Sequence, residues 1–178
     1  MGAILARAKQ RYNLIVSLLN FTRMKIINAQ LRAKKNLRAA CLEIQQGLAD
    51  TAKTAMQQAQ ESANGEKGTM EDRFESFREQ CQINRDMYAK QWQELLSGLQ
   101  VLQKMDVNRK NDVVALGSVV VTDTQAFFIS ISIGEVKLKG KVYFAISTSS
   151  PLFKAMAGKR QGDSFLFRDK IHQIVDVY

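Results

Sequence analysis

Four carboxylates, Glu66, Glu71, Asp72 and Glu75, fall within ten residues of one another in a stretch that also holds Gly65 and Gly68. Asp72 and Glu75 are three positions apart, the spacing at which two helical side chains project to one side. A pair of hard oxygen ligands so placed suits the completion of a divalent cation's shell when most of that shell comes from another molecule. Two carboxylates are too few for a tight site of their own. The same residues have a second reading. Acids in the first turn of a helix favour its positive end, and Thr69-x-x-Asp72 has the spacing of a capping box.

Other chemistries find less support. Nucleophilic catalysis needs a Cys or Ser beside a base, and the one histidine, His172, lies far along the chain from Cys41 and Cys81 in an alternating strand-like segment. Both cysteines fall on an apolar helical stripe, where a free thiol behaves as a small buried hydrophobe. They have no CxxC or other metal-type spacing, so neither a zinc site nor a disulfide framework is expected. Gly65-Glu-Lys-Gly68 lacks the GxxxxGK[ST] spacing of a phosphate loop and does not follow a strand. The chain is therefore expected not to be an enzyme by itself.

The elements that must position the acids can be read from periodicity. From Leu37 the apolar or small residues recur as Leu37, Cys41, Ile44, Leu48, Ala52, Ala55, Ala59 and Ser62, a coiled-coil spacing. After 64–68 the pattern resumes through Phe74, Phe77, Cys81, Tyr88, Leu95, Leu99 and Leu102. Two matched amphipathic segments about a short break with two glycines predict an antiparallel hairpin turning near Glu66 and Lys67. Reflection about that turn sets Leu37 near Leu95, Cys41 near Trp92, Ile44 near Tyr88 and Met56 near Phe77. Arms of about 28 residues make a rod of roughly 40 Å, with the acids at its tip.

The period then changes. Residues 105–112 are polar and rich in Asn and Asp, and read as a linker. Beyond them, 118–122, 127–133 and 141–147 are β-branched or aromatic runs, 151–157 reads as a short helix with Ser149 or Ser150 as cap and Gly158 as terminator, and 164–167 and 171–177 close a small antiparallel β domain. The fold class is α+β: a helical hairpin over 36–104 with its tip near 64–75, then a β domain over 113–178.

Charge sets the first 35 residues apart. The 178-residue chain carries 26 Lys and Arg against 17 Asp and Glu, and nine of those cations, with no acid, lie within 1–42. The body is neutral and the N-terminal arm basic, which points to an anionic partner for that arm. Residues 1–23 also fit a targeting segment or an overextended reading frame. The apolar run at 14–19 is six residues, far short of the ~20 that span a bilayer. With 46% apolar residues the expectation is a soluble cytoplasmic protein, monomeric, with no membrane partner.

Three stretches of the C-terminal half carry a resemblance: LGSVVVTD at 116–123, SPLFKAMAGKRQGDSF at 150–165 and IHQIVDVY at 171–178. They resemble the C-terminal domain of bacterial Gre-family transcription factors, the specific part being Ser150, Pro151, Leu152, Ala155, Gly158, Lys159, Gly162 and Asp163. The similarity covers roughly 36–178, and the tip, ESAN at 61–64 followed by Asp72-Arg-Phe-Glu75, is like that of a compact Gre-like group. The family joins an N-terminal coiled coil to an FKBP-like β domain.

The resemblance implies a partner, RNA polymerase, with nucleic acid met only indirectly through the transcription complex. It implies that Asp72 and Glu75 match a DxxE pair that enters the polymerase secondary channel and helps hold the second catalytic Mg²⁺, the protein having no cofactor of its own. The Ser150 to Asp163 motif region is then the expected docking region. Glu71 stands where the usual motif has Gly, and Ser76 where it has Asn. The alternatives are a channel-binding regulator without cleavage activity and a coiled-coil adaptor whose tip acids only cap a helix. An FKBP-like fold does not itself carry isomerase activity.

Overall fold

The structure is a computed structural model that describes residues 2–65 and 71–178, with side chains for 13–64 and 75–178. The expected turn at Glu66 and Lys67 lies outside the described residues. Helix α1 spans Gly2–Gly65 and α2 spans Glu71–Lys104. Strands β1 (Val119–Thr122), β2 (Ala126–Ser130), β3 (Gly134–Leu138) and β4 (Lys141–Ser147), helix α3 (Pro151–Met156), and strands β5 (Ser164–Phe167) and β6 (Lys170–Val177) follow. The α+β class read from the sequence is the one observed.

The hairpin is antiparallel, but its register is not the reflected one. Arg38 Nη1 donates to Met105 O at 3.2 Å, Gln45 Nε2 to Leu95 O at 3.0 Å, and Arg85 Nη1 to Gln60 Oε1 at 3.0 Å. The partner on α2 or just beyond it thus sits roughly two to four turns further along than reflection about Glu66 places it. The buried seam differs in the same way. Leu37, Cys41, Gln45, Ala49 and Ala52 are buried, whereas Ile44 is 38% and Leu48 50% exposed. A polar Gln enters the seam because its amide reaches a backbone carbonyl of α2, so its burial leaves no donor unpaired on that side. Gly98 makes the approach possible, since a Cβ there would lie 2.6 Å from Gln45 Nε2.

The sheet has six strands in the order β3-β4-β2-β1-β6-β5, antiparallel throughout except for the parallel β2/β4 pair. The expected run at 127–133 ends earlier, at Ser130, and β3 was not anticipated. Its sequence, GEVKL, alternates one buried Val136 with charged neighbours, the composition of an edge strand, and it hides behind the stronger apolar run before it. Alternation along β1 and β2 sends Val119 and Phe128 to one face and Val120, Phe127 and Ile129 to the other.

Each face has its own cover. Leu37, Cys41, Leu102, Met105 and Val107 from the hairpin base and following segment share one core with Val119, Phe128, Val136, Tyr143 and Tyr178. On the opposite face Met156 of α3 packs with Val120, Phe127, Ile129, Phe165 and Ile174. The chain is therefore three layers, hairpin base, sheet and α3, and the hairpin shares its base core with the sheet.

Residues 105–112, read as a linker, are pinned. Met105, Val107 and Asn111 are buried, and a Cβ on Gly117, whose φ is +83°, would lie 3.0 Å from Asp106 O. Helix α1 also crosses the 35/36 boundary of the basic arm without a break, and Gln30 Nε2 donates to Asp176 Oδ2 at 2.9 Å. The stretch from Gln30 onward thus belongs to the folded body.

Candidate functional site

The tip acids occupy the start of α2. Asp72 is its second residue and Glu75 lies one turn on, with its side chain exposed. Glu66 falls outside the described residues, and of Glu71 and Asp72 only the helical backbone is described. The pair stands at the end of the hairpin away from the sheet, as both the metal and the capping readings require. Among the described residues no group of three or more His, Cys, Asp or Glu side chains is placed to hold a metal ion.

The motif region in the β domain is built from turn chemistry. Ser150 Oγ accepts from Phe153 N at 3.2 Å and caps α3, while Pro151 fills the first helical position, where its missing N–H costs nothing. Gly158, at φ +72°, donates to Val114 O, and Lys159 O accepts from Val114 N at 2.8 Å. Gly162 N donates to Ile174 O at 2.8 Å, and Asp163 Oδ2 accepts from Arg160 N at 2.8 Å. Leu152 packs against the α3-side core. These contacts give Ser150, Pro151, Leu152, Gly158, Gly162 and Asp163 a structural reason to be as they are, whereas Lys159 takes part through its main chain. Pro151, Gly158, Gly162 and Asp163 are also exposed.

Cys41 and His172 do not meet. Cys41 is buried on the hairpin side of the sheet, and burial pushes its thiol up to about 11, with Ser130 acting weakly the other way. His172 stacks on Phe165, ring centroids 5.3 Å apart, and Phe165 belongs to the opposite face. The sheet therefore lies between the Cys41 thiol and the His172 imidazole, and burial holds that thiol in its protonated form.

One buried cation escaped the sequence reading. Lys34 is 0% exposed, and its Nζ donates to Asn111 Oδ1 at 2.6 Å and to Arg109 O at 2.9 Å. Burial lowers its pKa to about 8, the Asp106 charge working against that and Arg109 with it. Asp106 in turn is held below the usual carboxylate range, first by the Asn108 N–H it accepts at 2.8 Å. Because the folded chain binds the Lys34 proton less tightly than the unfolded chain, this group's contribution to stability should rise with pH from about 8 towards 10.5. Cys41, with a raised value, opposes it above about 9. Urea titration of wild type and Lys34→Met across pH 7–10.5 isolates the lysine. Their stability difference should grow with pH by on the order of 2–3 kcal/mol, and a flat difference would contradict the burial argument.

No family model matches the chain, and no curated protein sequence matches it. Among solved structures it is similar to the crystal structure of GreA factor homolog 1 (Gfh1) of Thermus thermophilus, with 16% identity over 80% of this chain and 93% of that one and a TM-score of 0.30. It is similar also to a structure described as the transcription factor Gfh1, with 18% identity over 84% of this chain and 94% of that one and a TM-score of 0.30. At such identity and score neither similarity assigns a role to any residue. No described helix is long and apolar enough to cross a membrane.

Proposed function

We propose that the chain is a Gre-like regulator of RNA polymerase that docks through its β domain and inserts the hairpin tip into the secondary channel. The observation that carries this reading is the place of Asp72 and Glu75, at the start of α2 and at the far end of a hairpin whose base is anchored in the sheet. Helix α2 alone, at 34 residues, is about 50 Å long. Its partner helix narrows towards the tip through Ala52, Ala55, Ala59 and Ala63, as an element entering a channel needs.

In this reading polymerase supplies the active site and most ligands of the catalytic Mg²⁺. The Asp72 and Glu75 carboxylates secure the second ion and orient the attacking water, so backtracked RNA is cut by polymerase and not by this chain. The motif loops around α3 offer the docking surface. Sequence likeness in 150–165 supports that placement, and the exposure of Pro151, Gly158, Gly162 and Asp163 is compatible with it. The site belongs to a bacterial cytoplasmic complex, with the protein acting as a monomer.

The test uses the full chain, because the shared core makes excision of either part a perturbation of both. Tagged protein should retain RNA polymerase from a soluble extract and from purified enzyme. Added to stalled complexes, it should shorten the 3′ end of the transcript in a Mg²⁺-dependent way. Retention without cleavage at any Mg²⁺ concentration selects the channel-binding regulator. Absence of retention overturns the reading.

A further inference from the structure

A second feature lies at the other end of α1. Between its residues 25–36 and the turn joining β3 to β4 is a groove of about 490 Å³ whose cations come from both walls, Lys25 and Arg32 from the helix and Lys139 and Lys141 from the strands. Its lining holds no carboxylate, and Asn28 and Asn36 add neutral polar groups. All four cations are exposed, and none has a carboxylate partner among the described residues. On β3, Glu135 is paired with Lys137 at 3.3 Å. By alternation both point away from the face that carries Val136. Asp176 is held by Gln30 outside the groove.

The strand side is also rigid. Leu138 and Lys141 are register partners, and Lys139 and Gly140 between them have φ of +50° and +78°, a tight two-residue turn with both central residues left-handed. Lys25 Nζ rests 4.4 Å from the centroid of the Phe21 ring. Four uncompensated cations on two walls of a concavity make a site for a strand-shaped polyanion. A flat bilayer cannot follow the walls inward. The one aromatic of the lining, Tyr143, is buried, and the exposed Phe21 ring beside the groove is engaged by the Lys25 ammonium, so recognition falls chiefly on phosphates through the four cations.

We propose that this groove binds the phosphate backbone of single-stranded nucleic acid directly and without sequence preference. The contact is separate from the one proposed for the tip and does not rest on it. The sequence alone gave the helix half of the site as a basic arm. The strand half comes only from the fold.

Fluorescence anisotropy with a labelled single-stranded RNA of mixed sequence and the full chain tests this. The logarithm of the affinity should fall with the logarithm of salt concentration with a slope near −3, about 0.7 for each of four phosphates. Lys139→Asn with Lys141→Gln should flatten that slope by roughly 1.4. Asn tolerates the left-handed backbone at 139, so folding, followed by circular dichroism, is unchanged. Lys90→Gln on the exposed side of α2 should leave the slope as it is.

Absence of binding at 50 mM salt overturns the proposal. So does a slope that the double variant does not alter, or a preference for anionic phosphatidylserine vesicles or an acidic polypeptide over RNA. A chain that retains polymerase but fails these tests keeps the tip reading and loses this one, and the converse holds for a chain that binds RNA but not polymerase.

Discussion

Asp72→Asn together with Glu75→Gln should lower cleavage stimulation by on the order of 10² or more while polymerase retention changes by less than about threefold. On the proposed reading the two charges act on the transition state and not on docking, and a charge so placed carries that order of effect. The capping reading predicts the reverse pattern. Loss of two acids near a helix N-terminus costs about 0.3–1 kcal/mol each, too little to unfold a hairpin whose base is locked into the sheet, and cleavage then survives. Single-turnover cleavage and thermal unfolding on the same preparation separate the two. If wild type retains polymerase without cleaving, Glu71→Gly is the reversion that restores the usual motif.

Leu102→Ala should be among the most costly single substitutions. Leu102 is 0% exposed and sits in the core shared by the hairpin base and the sheet face. Removing it leaves a cavity among side chains from both parts, at a cost of about 2–5 kcal/mol against a total of about 5–15. Leu166→Ala, at a leucine 63% exposed, should cost less than about 0.5 kcal/mol. Urea unfolding followed by Trp92 fluorescence on α2 and by near-ultraviolet circular dichroism, to which Tyr143 and Tyr178 contribute, should give one coincident transition in wild type. Two separated midpoints would show independent domains and contradict the shared core.

What the sequence made legible was local. Period-3.5 spacing located α2 and the second half of α1, and β-branched or aromatic runs located five of the strands, because each signal is carried by neighbouring residues, whereas the helical course of the basic arm before residue 36 was not read. The cap and terminator of α3 were legible for the same reason, Ser150, Pro151 and Gly158 being residue types with fixed turn roles. Long-range facts were hidden. Gln45 displaced Ile44 from the seam through a hydrogen bond to a helix fifty residues away, which apolar periodicity cannot register. Lys34 looked like one more cation of a solvated arm, yet its partners Arg109 and Asn111 lie in the segment that polarity had marked as a linker. The position of the tip acids was legible, whereas the groove needed the β3–β4 turn, a strand the sequence did not reveal.

The unbroken course of α1 past the sheet makes it a lever. Leu37 is its fulcrum in the core, with the groove residues on the short side and the hairpin on the long one. From Leu37 to Gly65 the helix rises about 42 Å, so a tilt of about 5° at the fulcrum swings its far end by nearly 4 Å. An oxygen ligand holds Mg²⁺ at about 2.0–2.1 Å and tolerates little stretch. An occupant of the short side that tilted the helix by that much would displace the tip by more than the whole length of such a bond.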